Sequence, residues 1–143
     1  MTDKRIIDSF INKYHLGGNI ERIKWVSDNE SLSAKFINDS QNLVGKIKSK
    51  NFQFPVGEFG IYSTSTLSKL LGILENEVMF DVNKEGGTPS KFIIADTSMD
   101  ISFNLADPQV IPNVPAINKM EGNVVIELDE EFTTKFIKAK DAV

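Results

Sequence analysis

Basic side chains recur on the polar sides of three predicted helices, each opposite an apolar stripe. These sides hold five lysines and arginines against few acids, chiefly Asp8, Glu131 and Asp141. Such cations attract phosphates without reading bases. Ordinary solvated helix faces have a similar composition, so that alternative stays open. The candidates, with their polar neighbours, are Arg5, Ser9, Asn12 and Lys13 on the first helix, Ser68 and Lys69 on the second, and Lys135 and Lys138 on the third.

Other reactive side chains are explained more simply by local structure. His15 lies at the end of the first predicted helix, where a capping or cationic role is expected. Asp96 and Asp100 flank a predicted hairpin turn. Because no nucleophile, base and orienting group fall together, we predict no catalytic residue. The remaining candidates suit a helix N-terminus (Asp129, Glu130, Glu131), a hairpin loop (Gly86, Gly87) and a core (Trp25).

The composition is that of one well-cored globular domain: 143 residues, 41% hydrophobic and 25% charged. The absence of cysteine and the single histidine exclude disulfides, thiolate zinc sites and multi-histidine metal sites, so no metal or cofactor is expected. No apolar run is long enough for a membrane span, and the N-terminus lacks a signal-peptide layout. We expect a cytoplasmic protein. A net charge of -4 does not tell how charge is distributed over its faces.

The elements that position these residues follow a repeating order. A helix at Lys4–His15, with Ile6, Ile7, Phe10, Ile11 and Tyr14 on one stripe, precedes strands predicted at 22–27, 32–38 and 42–48. A strand at 54–62 leads into a second helix with Leu67, Leu70, Leu71 and Leu74 on one face, followed by strands at 77–83, 91–96 and 99–105. The last strand is predicted to turn Met99, Ile101, Phe103 and Leu105 inward.

A third unit begins after a proline-rich connector at 107–118. It has a predicted strand at 124–128, Asp129 as N-cap, and a helix with Phe132, Phe136 and Ile137 on one side. The unit thus begins three times, near Lys4, Thr64 and Glu130, at a spacing of about 60 residues. Because the third copy is short, either the chain is a piece of a longer one or this end packs on the first domain; we favour the piece.

The order FPVGEFGIYSTSTLSKLLGILENEVMFDV, FIIADTSMDISFNLADP, proline-rich connector and VVIELDEEFTTKFIKA resembles the sliding clamps of T-even-type bacteriophages. The resemblance in residues is strongest around LLGIL (70–74), IAD (94–96) and ADP (106–108). It implies an α+β clamp fold, with helices on one face of antiparallel sheets. It also implies a first clamp domain at 1–106, an interdomain connector at 107–119, and the first strand and helix of an incomplete second domain at 120–143.

Clamps of that family are non-enzymatic processivity factors of DNA polymerases, and their subunits close head to tail into trimeric rings around duplex DNA. The resemblance therefore implies that the basic helix faces line the bore and bind DNA without sequence preference, while the sheets form an acidic exterior. The implied partners are a replicative DNA polymerase, a clamp loader and further copies of the chain, in the cytoplasm of a phage-infected bacterial host.

Val110, Ile111, Val114 and Pro115 are apolar residues in the predicted connector. Family members bind hydrophobic partner peptides in a pocket beside the connector, so these four residues are candidate partner-binding residues. The alternative is that they fasten the connector to the outer sheet. For the whole chain, the competing hypothesis is a small α+β interaction domain that oligomerises through sheet edges without encircling DNA.

Overall fold

Two four-stranded antiparallel sheets and two helices share one hydrophobic core. The computed structural model describes residues 1–116 and 121–143. The elements are β1 (Thr2–Asp3), α1 (Lys4–His15), β2 (Ile23–Ser27), β3 (Ser31–Ile37), β4 (Val44–Lys50), β5 (Gly57–Ile61), α2 (Thr64–Leu71), β6 (Glu77–Glu85), β7 (Thr88–Ala95), β8 (Asp100–Asn104) and α3 (Glu130–Asp141), with 3-10 turns at Leu16–Gly18 and Pro108–Val110.

The two sheets exchange strands, so the two halves of the domain interlock. The strand orders are β4-β3-β2-β5 and β1-β6-β7-β8. Strand β5 of the second half pairs with β2, and β1 at the start of the chain pairs with β6. The sequence pattern missed β1 because two residues are too few to show a hydrophobic period.

Helix α1 buries Ile7, Phe10, Ile11 and Tyr14, as its spacing predicts. The Asp3 carboxylate caps the helix by accepting a hydrogen bond from the Arg5 backbone N–H at 2.9 Å. Ile6 was predicted to lie on the buried stripe, but its side chain is exposed. It lies about a quarter turn from the centre of the stripe, where the helix surface begins to face water.

Helix α2 begins and ends earlier in the chain than its leucine spacing at 67–74 predicts. It begins after the N-cap Ser63 and ends at Leu71, with Gly72 as C-cap. Leu67 and Leu71 are buried on the helix, and Leu74 is buried after the chain has left it. A leucine at the expected spacing therefore reaches the core without continuing the helix.

The β7–β8 hairpin has the turn chemistry predicted for Asp96. Its carboxylate accepts hydrogen bonds from the backbone N–H groups of Glu75, Ser98 and Met99 at 2.7–2.8 Å. These bonds hold the pKa of the Asp96 carboxyl well below its usual range. Met99, predicted to point inward, is exposed because it belongs to this turn and precedes β8, whereas Phe103 within the strand is buried.

The C-terminal part of the described chain has a helix but no third sheet. Asp129 caps α3 by accepting a hydrogen bond from the Phe132 backbone N–H at 2.7 Å. Residues 124–128, predicted as a strand, pair with no strand in the part of the chain that the structure describes. An apolar run becomes a strand only when a neighbour satisfies its backbone groups. The bridge between Gly60 and Ala106 lies immediately before the predicted connector. The predictions for residues 117–120 lie outside the described residues.

Candidate functional site

Helices α1 and α2 lie side by side and run in opposite directions. At one end, the Lys4 ammonium donates hydrogen bonds to the carbonyls of Leu71 and Leu74, at 3.1 and 2.7 Å. At the other end, the hydroxyls of Tyr14 and Thr64 are 2.9 Å apart. The cation at the C-terminal end of α2 also interacts favourably with the helix dipole. The polar sides of both helices are therefore held in one fixed arrangement.

The four candidate residues of α1 are all exposed: Arg5, Ser9, Asn12 and Lys13. Arg5 pairs with the Asp3 carboxylate at 2.7 Å, so its charge is partly neutralised. Arg5, Ser9 and Lys13 line a groove of about 240 Å³ together with Lys48 of β4. Cations from a helix and an edge strand thus face one shallow depression.

The other candidate helices contribute unequally to a basic surface. On α2, Lys69 is exposed and Ser68 is half-buried. On α3, Lys135 forms an exposed ion pair with Glu131 at 2.6 Å, and Lys138 is exposed. In the described residues, Lys13, Lys69 and Lys138 have no carboxylate partner within ion-pair distance. These three cations are thus the least neutralised members of the predicted set.

A polar cluster joins the C-terminal end of α1 to the first turn of α2. His15 Nε2 is 2.6 Å from Glu21 Oε1, and the Ser65 hydroxyl donates to the same oxygen. The Ser65 backbone N–H donates to Glu21 Oε2 at 3.0 Å. Burial raises the pKa of the Glu21 carboxyl, but the hydrogen bonds from Ser65 and His15 outweigh that effect and lower it to about 2.

The cluster is arranged for structure and not for nucleophilic attack. In a catalytic triad the imidazole stands between the hydroxyl and the carboxylate. Here the Ser65 hydroxyl and the Glu21 carboxylate contact each other directly, and both contact the same nitrogen of His15, Nε2. The imidazole therefore does not stand between them. The sequence pattern missed Glu21, because its partner Ser65 lies 44 residues further along the chain.

Deeper in the core, three polar side chains satisfy one another. The Trp25 indole N–H donates to the Tyr14 hydroxyl at 3.3 Å, and the Tyr14 hydroxyl contacts Thr64. Burial raises the pKa of the Tyr14 phenol far above its usual range. Trp25 is fully buried, as predicted from its strand position. These bonds fix the helices to β2.

The exterior is not uniformly acidic, contrary to the expectation drawn from the resemblance. The outer face of β6-β7-β8 carries Glu77, Asp81, Glu85 and Asp100 against Lys91. The outer face of β2-β3-β4 instead carries five lysines, which we call the lysine face: Lys24, Lys35, Lys46, Lys48 and Lys50. The alternating lysines of GKIKSK predict the part of this face that lies on β4. The lysines of β2 and β3 join them only through the register between the strands.

The predicted partner-binding residues divide into two pairs. Ile111 is buried and Val114 half-buried, and both line a groove of about 660 Å³ between residues 108–114 and the lysine face. Val110 and Pro115 are exposed and lie outside that lining. Ile111 thus fastens the chain to the domain, while Val114 is available to the groove.

Comparison with known proteins supports the fold more than any activity. No family model matches the chain. In structure, the chain is similar to the beta subunit of DNA polymerase III from Pseudomonas aeruginosa, with a TM-score of 0.58 and 16% sequence identity. The match covers 80% of this chain and 31% of that chain. It confirms the predicted α+β clamp fold.

A curated relative matches in sequence. The chain is 28% identical over 130 residues to one subunit of the aspartyl/glutamyl-tRNA(Asn/Gln) amidotransferase of Mesoplasma florum. This match covers 87% of the chain but 26% of the relative, so the chain spans about a quarter of that protein's length. In the described residues, no helix is long and apolar enough to cross a membrane, and no cluster of acidic or histidine side chains is placed to hold a metal.

Proposed function

We propose that this chain is a subunit, or part of a subunit, of a DNA sliding clamp of the T-even bacteriophage type. The observation that carries the proposal is the clamp fold, in which two antiparallel helices turn their apolar sides to the sheets and leave Lys13 and Lys69 exposed. Unpaired cations on such a surface attract DNA phosphates without reading sequence.

In this proposal the helix faces line a bore, and copies of the chain close head to tail around duplex DNA. The proposed DNA-facing residues are Arg5, Ser9, Asn12, Lys13, Ser68, Lys69, Lys135 and Lys138. The ring is a trimer, as the resemblance to the phage clamps implies, and a clamp loader places it on DNA. The chain carries no catalysis of its own. It tethers the replicative polymerase through a peptide held near Val110, Ile111, Val114 and Pro115.

Charge reversal tests the bore. The double variant Lys13→Glu, Lys69→Glu should weaken sequence-independent duplex binding about tenfold at low salt, because two phosphate attractions become repulsions. Fluorescence anisotropy with a labelled duplex measures it, and product length on primed circular DNA gives the functional readout. The double variant Lys84→Glu, Lys91→Glu, on strands β6 and β7, is the control with the same change in net charge. Binding that falls equally in the control, or in neither variant, would count against the helix assignment.

Solution mass separates this proposal from the competing one. A sliding clamp forms a closed ring that lengthens polymerase products once loaded. An interaction domain that associates through strand edges gives a dimer without effect on synthesis. Analytical ultracentrifugation followed by the synthesis assay therefore distinguishes the two.

A further inference from the structure

The lysine face places like charges next to one another across three strands. Lys35 of β3 lies directly opposite both Lys24 of β2 and Lys46 of β4. Further along β4, Lys48 and Lys50 lie opposite serines of β3 and point to the same side. Neighbouring strands are about 4.8 Å apart, and alternate residues of one strand about 6.8 Å. The five lysine positions thus form an L-shaped array: 24, 35 and 46 lie in a row across the strands, and 46, 48 and 50 lie in a row along β4.

Ion pairs within the chain leave most of this charge unneutralised. Lys24 lies 3.6 Å from the Glu58 carboxylate. Among the residues described, no carboxylate pairs with Lys35, Lys46, Lys48 or Lys50. Like charges directly opposite on a sheet destabilise it. Folding therefore gains nothing from the array, and a bound anion would relieve its repulsion.

An apolar wall stands beside the array. The groove of about 660 Å³ is bounded on one side by Pro108, Ile111, Pro112 and Val114, and its floor includes Val26 with four of the lysines. At the far side, β4 is the last strand of its sheet, so one row of its backbone groups is not paired to another strand of the described chain. The groove therefore combines cations, an apolar wall and an available strand edge.

We propose that this groove binds an extended acidic peptide that carries an apolar anchor, with its carboxylates on the lysine face and its anchor against Val114. Alternate side chains of an extended peptide recur at the same spacing of about 6.8 Å as the lysines of β4. Charge complementarity favours a polyanion as the ligand. The apolar wall favours a peptide, because an apolar side chain can pack against it and a nucleic-acid phosphate cannot. This inference rests on the proposed function, which places a partner peptide beside the connector, and it adds the chemistry of that peptide.

Three labelled peptides test this chemistry by fluorescence anisotropy on the full chain. The first is a decapeptide of alternating glutamate and serine with a central Leu-Phe pair; the second replaces each glutamate by glutamine; the third replaces Leu-Phe by serines. We expect the first to bind at least about tenfold more tightly than either of the others, with an affinity that falls with salt. Equal affinity for the first two, or no binding by the first, would overturn the proposal.

Paired variants locate the site. Lys35→Glu, Lys46→Glu should weaken binding of the acidic peptide at least about tenfold. The thermal unfolding midpoint should stay equal or rise, because the pair at positions 24 and 35 becomes opposite in charge while the pair at positions 35 and 46 stays like-charged. Lys13→Glu, Lys69→Glu should change peptide affinity less than about twofold while weakening duplex binding, so failure of the two proposals can be told apart. A single-stranded 20-mer that binds the lysine face more tightly than the acidic peptide would identify a nucleic-acid surface and refute the peptide assignment.

Discussion

Glu21 holds the C-terminal end of α1 and the first turn of α2 together. Its two carboxylate oxygens accept hydrogen bonds from the backbone and side chain of Ser65, and one of them contacts His15. Because these bonds require the ionised carboxylate, they lower its folded-state pKa to about 2 from an ordinary value of 4.5. The associated stability is present above about pH 4.5 and is lost as the pH falls towards 2.

We predict that Glu21→Gln lowers the free energy of unfolding by about 1 kcal/mol at pH 7, since the amide offers one acceptor where the carboxylate offers two. The difference from the parent should shrink between pH 4.5 and 2, where the parent loses the same interaction. Urea unfolding at pH 7 and pH 3 measures it, with Glu85→Gln at an exposed strand end as control. A difference independent of pH would show that the charge of Glu21 is not responsible.

Residue-scale prediction succeeded where partners were close in sequence. The turn role of Asp96 and the capping role of Asp129 depend on groups within three residues of each, and both are present in the structure. The roles of Lys4 and Glu21 depend on partners more than 40 residues away. Spacing along one chain contains no signal for such contacts, so only the folded geometry reveals them.

At the scale of elements, Gly60 fixes Ala106, the residue before the predicted connector, to β5. It forms an isolated bridge with Ala106, and a Cβ at position 60 would lie 2.4 Å from the Ala106 carbonyl oxygen. The contact is between backbone atoms, so no side chain is available to move aside. The close approach of two backbones is therefore the reason for glycine here.

We predict that Gly60→Ala lowers stability by about 2 kcal/mol, because the bridge must open or the strand must shift. The chain from Ala106 onward should then be cut faster by a protease in limited digestion. Gly122→Ala is the matched control, since its Cβ would meet its nearest atom, the Val124 carbonyl oxygen, at an ordinary 3.5 Å. Unchanged digestion and unfolding of Gly60→Ala would mean that the bridge does not hold this segment.

The hydrophobic period of the sequence predicted which segments are helices and which are strands. It did not predict which strands pair with one another. Helices α1 and α2 and every strand of the two sheets except β1 were predicted, with boundaries that shift by a few residues. The strand predicted at 124–128 shows the limit, because its apolar pattern is sound but no described strand pairs with it. The lysine face was missed for the same reason, since register between strands is a tertiary property.

At the scale of the whole molecule, the two outer sheet surfaces differ in charge. Acidic residues dominate the β6-β7-β8 face, and lysines dominate the β2-β3-β4 face. A net charge of -4 conceals this division. An acidic surface repels DNA, whereas the lysine face would compete with the helices for it unless another anion covers that face. Charge distribution therefore links the DNA-facing proposal to the peptide proposal.

Topological retention on DNA tests the central claim most directly. The protein is loaded onto nicked circular plasmid by the clamp loader that the proposal requires, washed at high salt and measured on the DNA before and after linearisation. A ring that holds DNA by encirclement stays on the circle through the wash and leaves once an end is cut, because its phosphate contacts are weak. Retention that is equal on circular and linear DNA, or that disappears with salt alone, would contradict the clamp proposal.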